Sequence, residues 1–218
     1  MLNSKAVFLV LGATGRTGRH FLSLVLENGH HVRALVRNPE KVAIQHPHLE
    51  WRQGSISDDD KLDDLVRGVD IVVSLLGNAS LQKQEKINTQ FVKRLIPAMR
   101  RQGVKRFLYQ AGGFTKPYKQ RLPLMTWILK NTMARSRGLI GQHKDNEAVI
   151  EYLVEEAPDI EWMVHRAAII SDGPSKGTLK RSKTRTGLAT FGDCAAYNYA
   201  LVMDDSALHT TDLSCYSK

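Results

Sequence analysis

Three glycines, each three residues after the last, follow the first apolar run of this chain: Gly12, Gly15 and Gly18. The run before them predicts a strand, and the amphipathic stretch after them predicts a helix. In that order, glycines permit a tight turn, close approach of a pyrophosphate and close packing of the helix, whose first N–H groups face the phosphates. The sequence therefore predicts a dinucleotide site. Its loop residues are Gly12, Ala13, Thr14, Gly15, Arg16, Thr17 and Gly18.

The end of the second predicted strand, residues 31–36, indicates which dinucleotide binds. An NAD site closes this strand with an Asp or Glu that binds the 2′-hydroxyl of the ribose. Arg37 stands there instead, and Arg16 lies in the glycine loop. Two guanidinium groups suit a 2′-phosphate because each forms paired, charge-assisted hydrogen bonds. We therefore expect NADP (NADPH) as the cofactor; the alternative is that both arginines are ordinary surface residues.

Short apolar runs alternate with helical stretches, which predicts an α/β fold with a doubly wound, parallel, Rossmann-like sheet. Strands are expected at 6–11, 31–36, 49–52, 69–76, 104–111, 160–170 and 210–216. Helices are expected at 16–28, 58–67, 86–101, 122–133, 143–156 and 193–203, with a kink or an early break at Pro97. Residues 174–190 predict a loop or a hairpin. One domain over 1–218 is expected, with substrate-pocket elements from about 112–142 and 171–192.

Composition is typical of a globular protein, with 42% hydrophobic residues and a mean hydropathy of −0.29. No apolar run reaches the roughly 18 residues of a membrane-spanning helix, and the N-terminus lacks the apolar core of a signal peptide. The 2 cysteines give neither a disulfide framework nor a metal cluster. We expect a cytoplasmic protein without a bound metal or a membrane partner, either a monomer or a dimer.

The net charge of +9 is concentrated in residues 116–137 and 176–185. Such clusters could attract an anionic substrate or the phosphates of a cofactor, or they could be solvated surface. Aromatic residues do not interleave with the second cluster, so a platform for stacking bases is not indicated. Nucleic acid is therefore not expected as a partner.

Four passages carry a family resemblance. They are the glycine loop, Leu35-Val36-Arg37-Asn38-Pro39-Glu40-Lys41, Lys144 with Glu147 and Trp162-Met163-Val164-His165-Arg166, and Phe191-Gly192-Asp193-Cys194-Ala195. With these the chain resembles the atypical short-chain dehydrogenase/reductases, closest to the NmrA-like and flavin-reductase-like NAD(P)-binding proteins. The resemblance implies further cofactor contacts at Ser55, Ile56, Leu76, Gly77, Ala111 and Lys144. It implies substrate contacts at Gly112, Gly113, Trp127 and Ala168.

The chain departs from that group at the residues that transfer protons. In the classical enzymes a Tyr four residues before an active-site Lys exchanges a proton with the carbonyl oxygen, and an upstream Ser orients the substrate. If Lys144 is that Lys, the Tyr position holds Ile140, and the Ser position holds Ala111 or Gly112. The remaining catalytic candidates are Lys144, His143 and His165, and either histidine could protonate a reduced product.

The function expected is an NADPH-dependent reductase without the Tyr/Ser pair. Its acceptor would be a small flavin-, quinone- or carbonyl-type molecule, anionic or aromatic, with solvent supplying the proton. Two alternatives remain open. One is a non-catalytic, NADP-sensing regulatory protein of the NmrA-like kind. The other is an isomerase or other tailoring enzyme that uses the same pocket.

Overall fold

The computed structural model describes residues 5–42, 44–57, 61–77, 82, 86–134, 139–167 and 169–217. The strands are β1 (Val7–Leu11), β2 (His31–Val36), β3 (Leu49–Gln53), β4 (Ile71–Ser74), β5 (Arg106–Gly112), β6 (Glu161–Ala167), β7 (Ile169–Ser171), β8 (Leu179–Ser182), β9 (Leu188–Thr190) and β10 (Thr211–Tyr216). The helices are α1 (Arg16–Glu27), α2 (Leu62–Val66), α3 (Ile87–Arg101), α4 (Leu124–Leu129), α5 (Ile140–Glu156) and α6 (Phe191–Val202). A π-helical turn, Lys130–Ala134, continues α4.

Eight strands form one sheet in the order β3-β2-β1-β4-β5-β6-β10-β8. Neighbouring strands are parallel except β8, which runs antiparallel to β10. The strand order reverses at β1, whose neighbours are β2 and β4. Open parallel sheets bind ligands beyond the carboxyl ends of their strands at such a reversal. The predicted doubly wound α/β fold is confirmed, and the glycine loop lies at the reversal.

Helices cover both faces of the sheet. Successive side chains along each strand point to opposite faces, so each strand contributes to two cores. Phe8 and Val10 face the core formed with α1 and α6. Leu9 and Leu11 face the core formed with α2, α3 and α5. In the part of the chain that the structure describes, no helix is long and apolar enough to span a membrane.

The sixth predicted strand, residues 160–170, is two strands in the structure. β6 ends at Ala167, opposite Gly112, the last residue of its neighbour β5. The pairing of β5 with β6 ends at this residue pair, and β7 pairs with β9 in a separate two-stranded sheet. The loop or hairpin expected at 174–190 likewise contains β8 and β9, which pair with β10 and β7 rather than with each other.

The helix containing Pro97 does not break there but continues to Arg101. Proline removes one backbone hydrogen bond, and burial of Leu95, Ile96 and Met99 in the core holds the helix together across it. Two other helices are shorter than predicted: α2 begins at Leu62, and α4 ends at Leu129, where the π-helical turn begins. Residues 58–60 of the predicted second helix lie outside the described part of the chain.

Candidate nicotinamide-dinucleotide site

The glycine loop has the geometry that its spacing predicts. Gly12 has a φ of +83°, and a Cβ there would lie 2.8 Å from the carbonyl oxygen of Leu75. At Gly18 a Cβ would lie 2.1 Å from the Gly12 oxygen, so only glycine lets α1 pack against the loop. At Gly15, the N-cap of α1, a Cβ would meet only the Gly12 oxygen, at 3.2 Å. The first turn of α1 is therefore open to an anion. Ala13 and Thr17 are buried beneath the loop, whereas Thr14 is exposed.

A cavity of about 490 Å³ lies beside this loop at the end of β2. Ala13, Thr14 and Arg37 line it, as the sequence predicts, and so does Arg19. The Arg19 Nε donates to the Thr14 carbonyl oxygen at 3.0 Å. A second, adjoining cavity of about 510 Å³ is lined by Arg37, Gln53, Gly54, Ser55 and Lys61.

Arg16 is directed elsewhere. Its Nη1 lies 3.2 Å from Asp172 Oδ2, and its guanidinium carbon lies 4.3 Å from the centre of the Phe191 ring. The expected Arg16–Arg37 pair is therefore replaced by Arg19 and Arg37 around the first cavity. The signal for Arg19 was present in the sequence, because it follows the third glycine of the loop directly.

The remaining predicted cofactor residues lie at the carboxyl ends of β3, β4 and β5. Arg94 Nη2 donates to the Ile56 carbonyl oxygen at 2.5 Å, which fixes the backbone beside Ser55. Leu76 is half-buried, and Gly77 is exposed close to α5, where a Cβ would lie 3.5 Å from Gln142 Nε2. Ala111 is buried in β5. The structure thus brings these positions to the edge of the sheet that carries the glycine loop.

His143 is the histidine that lies at this edge. It is 4% exposed, and its ring packs against Gly112, the last residue of β5. Its Nδ1 lies 3.2 Å from Thr115 Oγ1, and its Nε2 is buried without a hydrogen-bond partner among the described residues. Burial lowers the pKa of His143 to about 4, with a smaller contribution from the Lys130 charge, so the ring is neutral at neutral pH.

Thr115 connects His143 to a buried arginine. Arg166 Nη1 donates to the Thr115 carbonyl oxygen at 3.2 Å, and burial lowers the pKa of Arg166 to about 10. This contact holds the turn after β5, in which the Thr115 N–H also donates to the Gly112 oxygen at 2.9 Å. No motif in the sequence points to Thr115, because its spacing from Gly112 matches none.

Lys144 lies on the exposed side of α5, whereas its neighbours His143 and Asp145 are buried. Successive helical residues point about 100° apart, so Lys144 projects away from the inward face formed by His143, Asn146 and Ile150. The structure therefore does not bring Lys144 together with His143.

His165 is also separated from the site. It is fully buried on β6, where its Nδ1 lies 2.7 Å from Asn198 Oδ1 and its Nε2 lies 2.9 Å from Ser214 Oγ. Both ring nitrogens are thus occupied between β6, α6 and β10. Burial lowers the pKa of His165 to about 4. A role as a proton donor is not supported by this placement.

The predicted substrate residues are only partly brought together. Gly112 and Gly113 form the end of β5 and the turn after it. Trp127 lies on α4 and is 55% exposed, so it does not cover a closed pocket among the described residues. Ala168 lies outside the described residues.

The residues present fit a nicotinamide dinucleotide. The glycine loop leaves the N-terminus of α1 open to a pyrophosphate, and Arg19 and Arg37 supply positive charge at the end of β2. The model of the NAD(P)H-binding family matches residues 12–198. The chain belongs to this family. Its glycine loop and the segment after β2 resemble those of the atypical short-chain dehydrogenase/reductases.

The NAD(P)H-binding protein described here has relatives with named activities. A 3 beta-hydroxysteroid dehydrogenase/Delta 5-->4-isomerase of Mycobacterium tuberculosis is 34% identical over 112 residues, which are 46% of this chain and 30% of that protein. The isoflavone reductase homolog IRL of Zea mays is 33% identical over 117 residues, 49% of this chain and 35% of that protein. The matches thus span about a third of these longer relatives.

A solved structure shares the fold over almost the whole chain. ChuY, an anaerobillin reductase from Escherichia coli, superposes with a TM-score of 0.76 at 17% identity, covering 95% of this chain and 96% of that one. At this identity the likeness establishes the fold alone.

Proposed function

We propose that this protein is an NADPH-dependent reductase that transfers hydride to a small flavin-, quinone- or carbonyl-type acceptor. One observation carries the proposal. The glycine loop after β1 and the buried, unpaired Nε2 of His143 beside β5 lie at the same edge of the sheet. Open parallel sheets place cofactor and substrate at this edge. The dehydrogenase and reductase names of the sequence relatives support the same reaction class.

NADP is proposed over NAD because of the charges around the cavity at the end of β2. Arg19 and Arg37 both line it, and no carboxylate lines it among the described residues. A 2′-phosphate gains charge-assisted hydrogen bonds from guanidinium groups, whereas a ribose 2′-hydroxyl is best bound by a carboxylate.

The chain's own residues then have distinct tasks. The first turn of α1 binds the pyrophosphate, Arg19 and Arg37 bind the 2′-phosphate, and His143 presents a polar atom to the acceptor. A reduced nicotinamide, when bound, supplies the hydride. If the motif alignment holds and Ile140 stands at the Tyr position of the classical enzymes, positioning is the main catalytic contribution. The proposal assigns no chemical step to Lys144 or His165.

Steady-state oxidation of NADPH with a panel of flavins, quinones and aldehydes tests this function. Turnover with at least one acceptor, faster with NADPH than with NADH, is the expected result. Tight NADPH binding in calorimetry without turnover of any acceptor would contradict the reductase and favour an NADP-sensing regulatory protein. Conversion of a substrate without consumption of NADPH would favour an isomerase.

A further inference from the structure

A chain of hydrogen bonds leads from α3 through β5 to His143. We infer that this chain sets the ring tautomer of His143, so that the neutral Nε2–H donates a hydrogen bond to the oxygen of a carbonyl- or quinone-type acceptor. The assignment of the acceptor rests on the proposed function. The assignment of the tautomer does not, and it is testable by itself.

The hydrogen-bond chain has four links between five buried side chains. Asn88 Nδ2 donates to the Tyr109 hydroxyl at 3.0 Å, and that hydroxyl donates to Asn146 Oδ1 at 2.7 Å. Asn146 Nδ2 donates to Thr115 Oγ1 at 3.4 Å, and Thr115 Oγ1 lies 3.2 Å from His143 Nδ1. All five residues are at most 4% exposed, so water does not compete for these bonds.

The donors and acceptors in this chain follow one direction. A hydroxyl has a single hydrogen to donate, and an amide donates only through its nitrogen. The Tyr109 hydrogen is used on Asn146 Oδ1, which leaves the Asn146 nitrogen to donate to Thr115. The Thr115 oxygen accepts that bond, and among the described residues His143 Nδ1 is the remaining polar atom within hydrogen-bond distance of it, so the Thr115 hydrogen is assigned to Nδ1. Nδ1 is therefore the acceptor, and a neutral ring carries its hydrogen on Nε2.

The anchor of the chain is held by a buried carboxylate. Asp145 Oδ2 accepts the Asn88 backbone N–H at 3.0 Å, and Asp145 Oδ1 accepts the Thr89 hydroxyl at 2.7 Å. These bonds tie the start of α3 to α5, the helix that carries Asn146 and His143. The amide of Asn88 is thereby placed at a fixed distance from Tyr109.

The other end of the chain is the buried Nε2, which has no partner among the described residues. A buried N–H without a partner is costly, and a ligand oxygen at the edge of the sheet would satisfy it. Among the described residues, Lys130 after α4 and Glu147 one turn along α5 act on the ring by their charges. Arg166 is linked to the ring indirectly, by its hydrogen bond to the Thr115 carbonyl oxygen. Lys130 and Glu147 pair with each other at 2.5 Å, so they largely offset each other at the ring.

The chemistry favours an acceptor that carries an oxygen lone pair. When the carbon of a C=O group gains a hydride from the reduced nicotinamide, the π electrons move to the oxygen. A fixed, neutral N–H stabilises this developing negative charge without giving up its hydrogen, and water then supplies the proton. A bound reduced nicotinamide would supply two electrons and one hydrogen as hydride, and water would supply the second hydrogen as a proton.

Nitrogen-15 NMR of histidine-labelled protein tests the tautomer directly. The His143 signals are identified by their loss in His143→Gln. In the wild type we expect protonated Nε2 and unprotonated Nδ1 from about pH 8 to about pH 5. Asn146→Asp puts an acceptor where the amide donated, so the Thr115 hydrogen turns to the carboxylate and His143 should switch to Nδ1–H. A wild-type ring protonated on Nδ1, or an unchanged tautomer in the folded variant, would overturn the inference.

Asn198→Asp is the matched control, because it places the same carboxylate beside the other buried histidine, His165. The His143 signals should stay unchanged in it; a switch there would show that the effect is not carried by the chain. If Asn146→Asp does not fold, Thr115→Val replaces it. Removing the Thr115 hydroxyl should shift the nitrogen-15 resonance of the unprotonated His143 Nδ1 from its wild-type position. An unchanged resonance would contradict the proposed hydrogen bond from Thr115.

Measurements of kcat distinguish the catalytic role of His143 from the assignment of its tautomer. Once an acceptor is identified, His143→Phe should lower kcat by about a hundredfold, while the Kd of NADPH stays within about twofold. The expected NMR result combined with an unchanged kcat would remove the catalytic role and leave the tautomer. The expected NMR result with no turnover of any acceptor would overturn the proposed function instead.

Discussion

The imidazole ring of His143 lies directly on the backbone of Gly112. A Cβ at position 112 would meet His143 Cε1 at 2.9 Å and Nδ1 at 3.3 Å. Gly112→Ala should therefore displace the ring and weaken its contact with Thr115. We expect kcat to fall by about tenfold or more, with the Kd of NADPH nearly unchanged, measured by steady-state kinetics and calorimetry.

A double-mutant cycle shows whether this effect acts through the ring. If Gly112→Ala acts by displacing His143, adding it to His143→Ala should cost little further activity. Additive losses would mean that Gly112 is needed for another reason, such as direct approach of the acceptor to the backbone.

The choice of dinucleotide should depend on Arg19 and Arg37. Replacing either with Ala removes charge-assisted hydrogen bonds worth about 1.5–3 kcal/mol, so NADPH should bind about tenfold to a hundredfold more weakly. NADH binding should change little. Arg16→Ala is the matched control: because Arg16 contacts Asp172 and Phe191, it should leave the ratio of the two affinities unchanged. A ratio that responds to Arg16 and not to Arg19 would show that the assignment is reversed.

Two glycines of the loop should respond differently to a side chain. Gly15→Val adds bulk where only the Gly12 oxygen is near, so the fold should persist while both NADPH and NADH lose binding. Gly18→Val would force a Cβ to within 2.1 Å of that oxygen, so it should lower the melting temperature itself. Thermal unfolding and cofactor titration of both variants distinguish the two effects. Equal loss of stability in both would contradict the assignment of Gly15 to the pyrophosphate.

The pH dependence of kcat should lack a limb near neutral pH. Burial keeps the pKa of His143 near 4, so its ring stays neutral and its Nε2–H is retained across the neutral range. We expect a flat kcat profile between about pH 5.5 and pH 8. A limb near pH 6.5 that disappears in His143→Gln would instead identify an imidazolium acting as an acid.

Local patterns in the sequence were sufficient for the fold and for the glycine loop. Glycine spacing and an apolar run are properties of neighbouring residues, so the loop at Gly12–Gly18 and the order of strands and helices could be predicted. Arg37 followed from its position at the end of β2. Where β6 ends could not be predicted, because it depends on the length of the neighbouring strand β5.

The reactive end of the site depends on contacts between distant segments. Asn88, Tyr109, Thr115 and Asn146 come from three elements and one turn, and no spacing in the sequence connects them. The structure places Tyr109 in the interior of the chain of hydrogen bonds, between Asn88 and Asn146. Lys144 shows the converse: a motif match gives a position in the sequence, but the phase of α5 decides that its side chain lies on the exposed side of the helix.

Acid should destabilise the protein through its buried histidines. An unfolded His binds a proton near pH 6.5, whereas burial lowers the pKa of both His143 and His165 to about 4. Between these values the unfolded state binds more protons than the native state. The free energy of unfolding should therefore fall as pH is lowered from about 6.5 to 4, by up to roughly 3 kcal/mol for each histidine.

Urea unfolding at a series of pH values measures this dependence. His143 belongs to α5 on one face of the sheet, whereas His165 contacts α6 on the other face, so their contributions should add. His143→Gln and His165→Gln should each reduce the slope of stability against pH in this window, and the double variant should reduce it by the sum. A slope that is unchanged in His165→Gln would mean that this ring is protonated in the native state, paired with Asn198, and does not stay neutral.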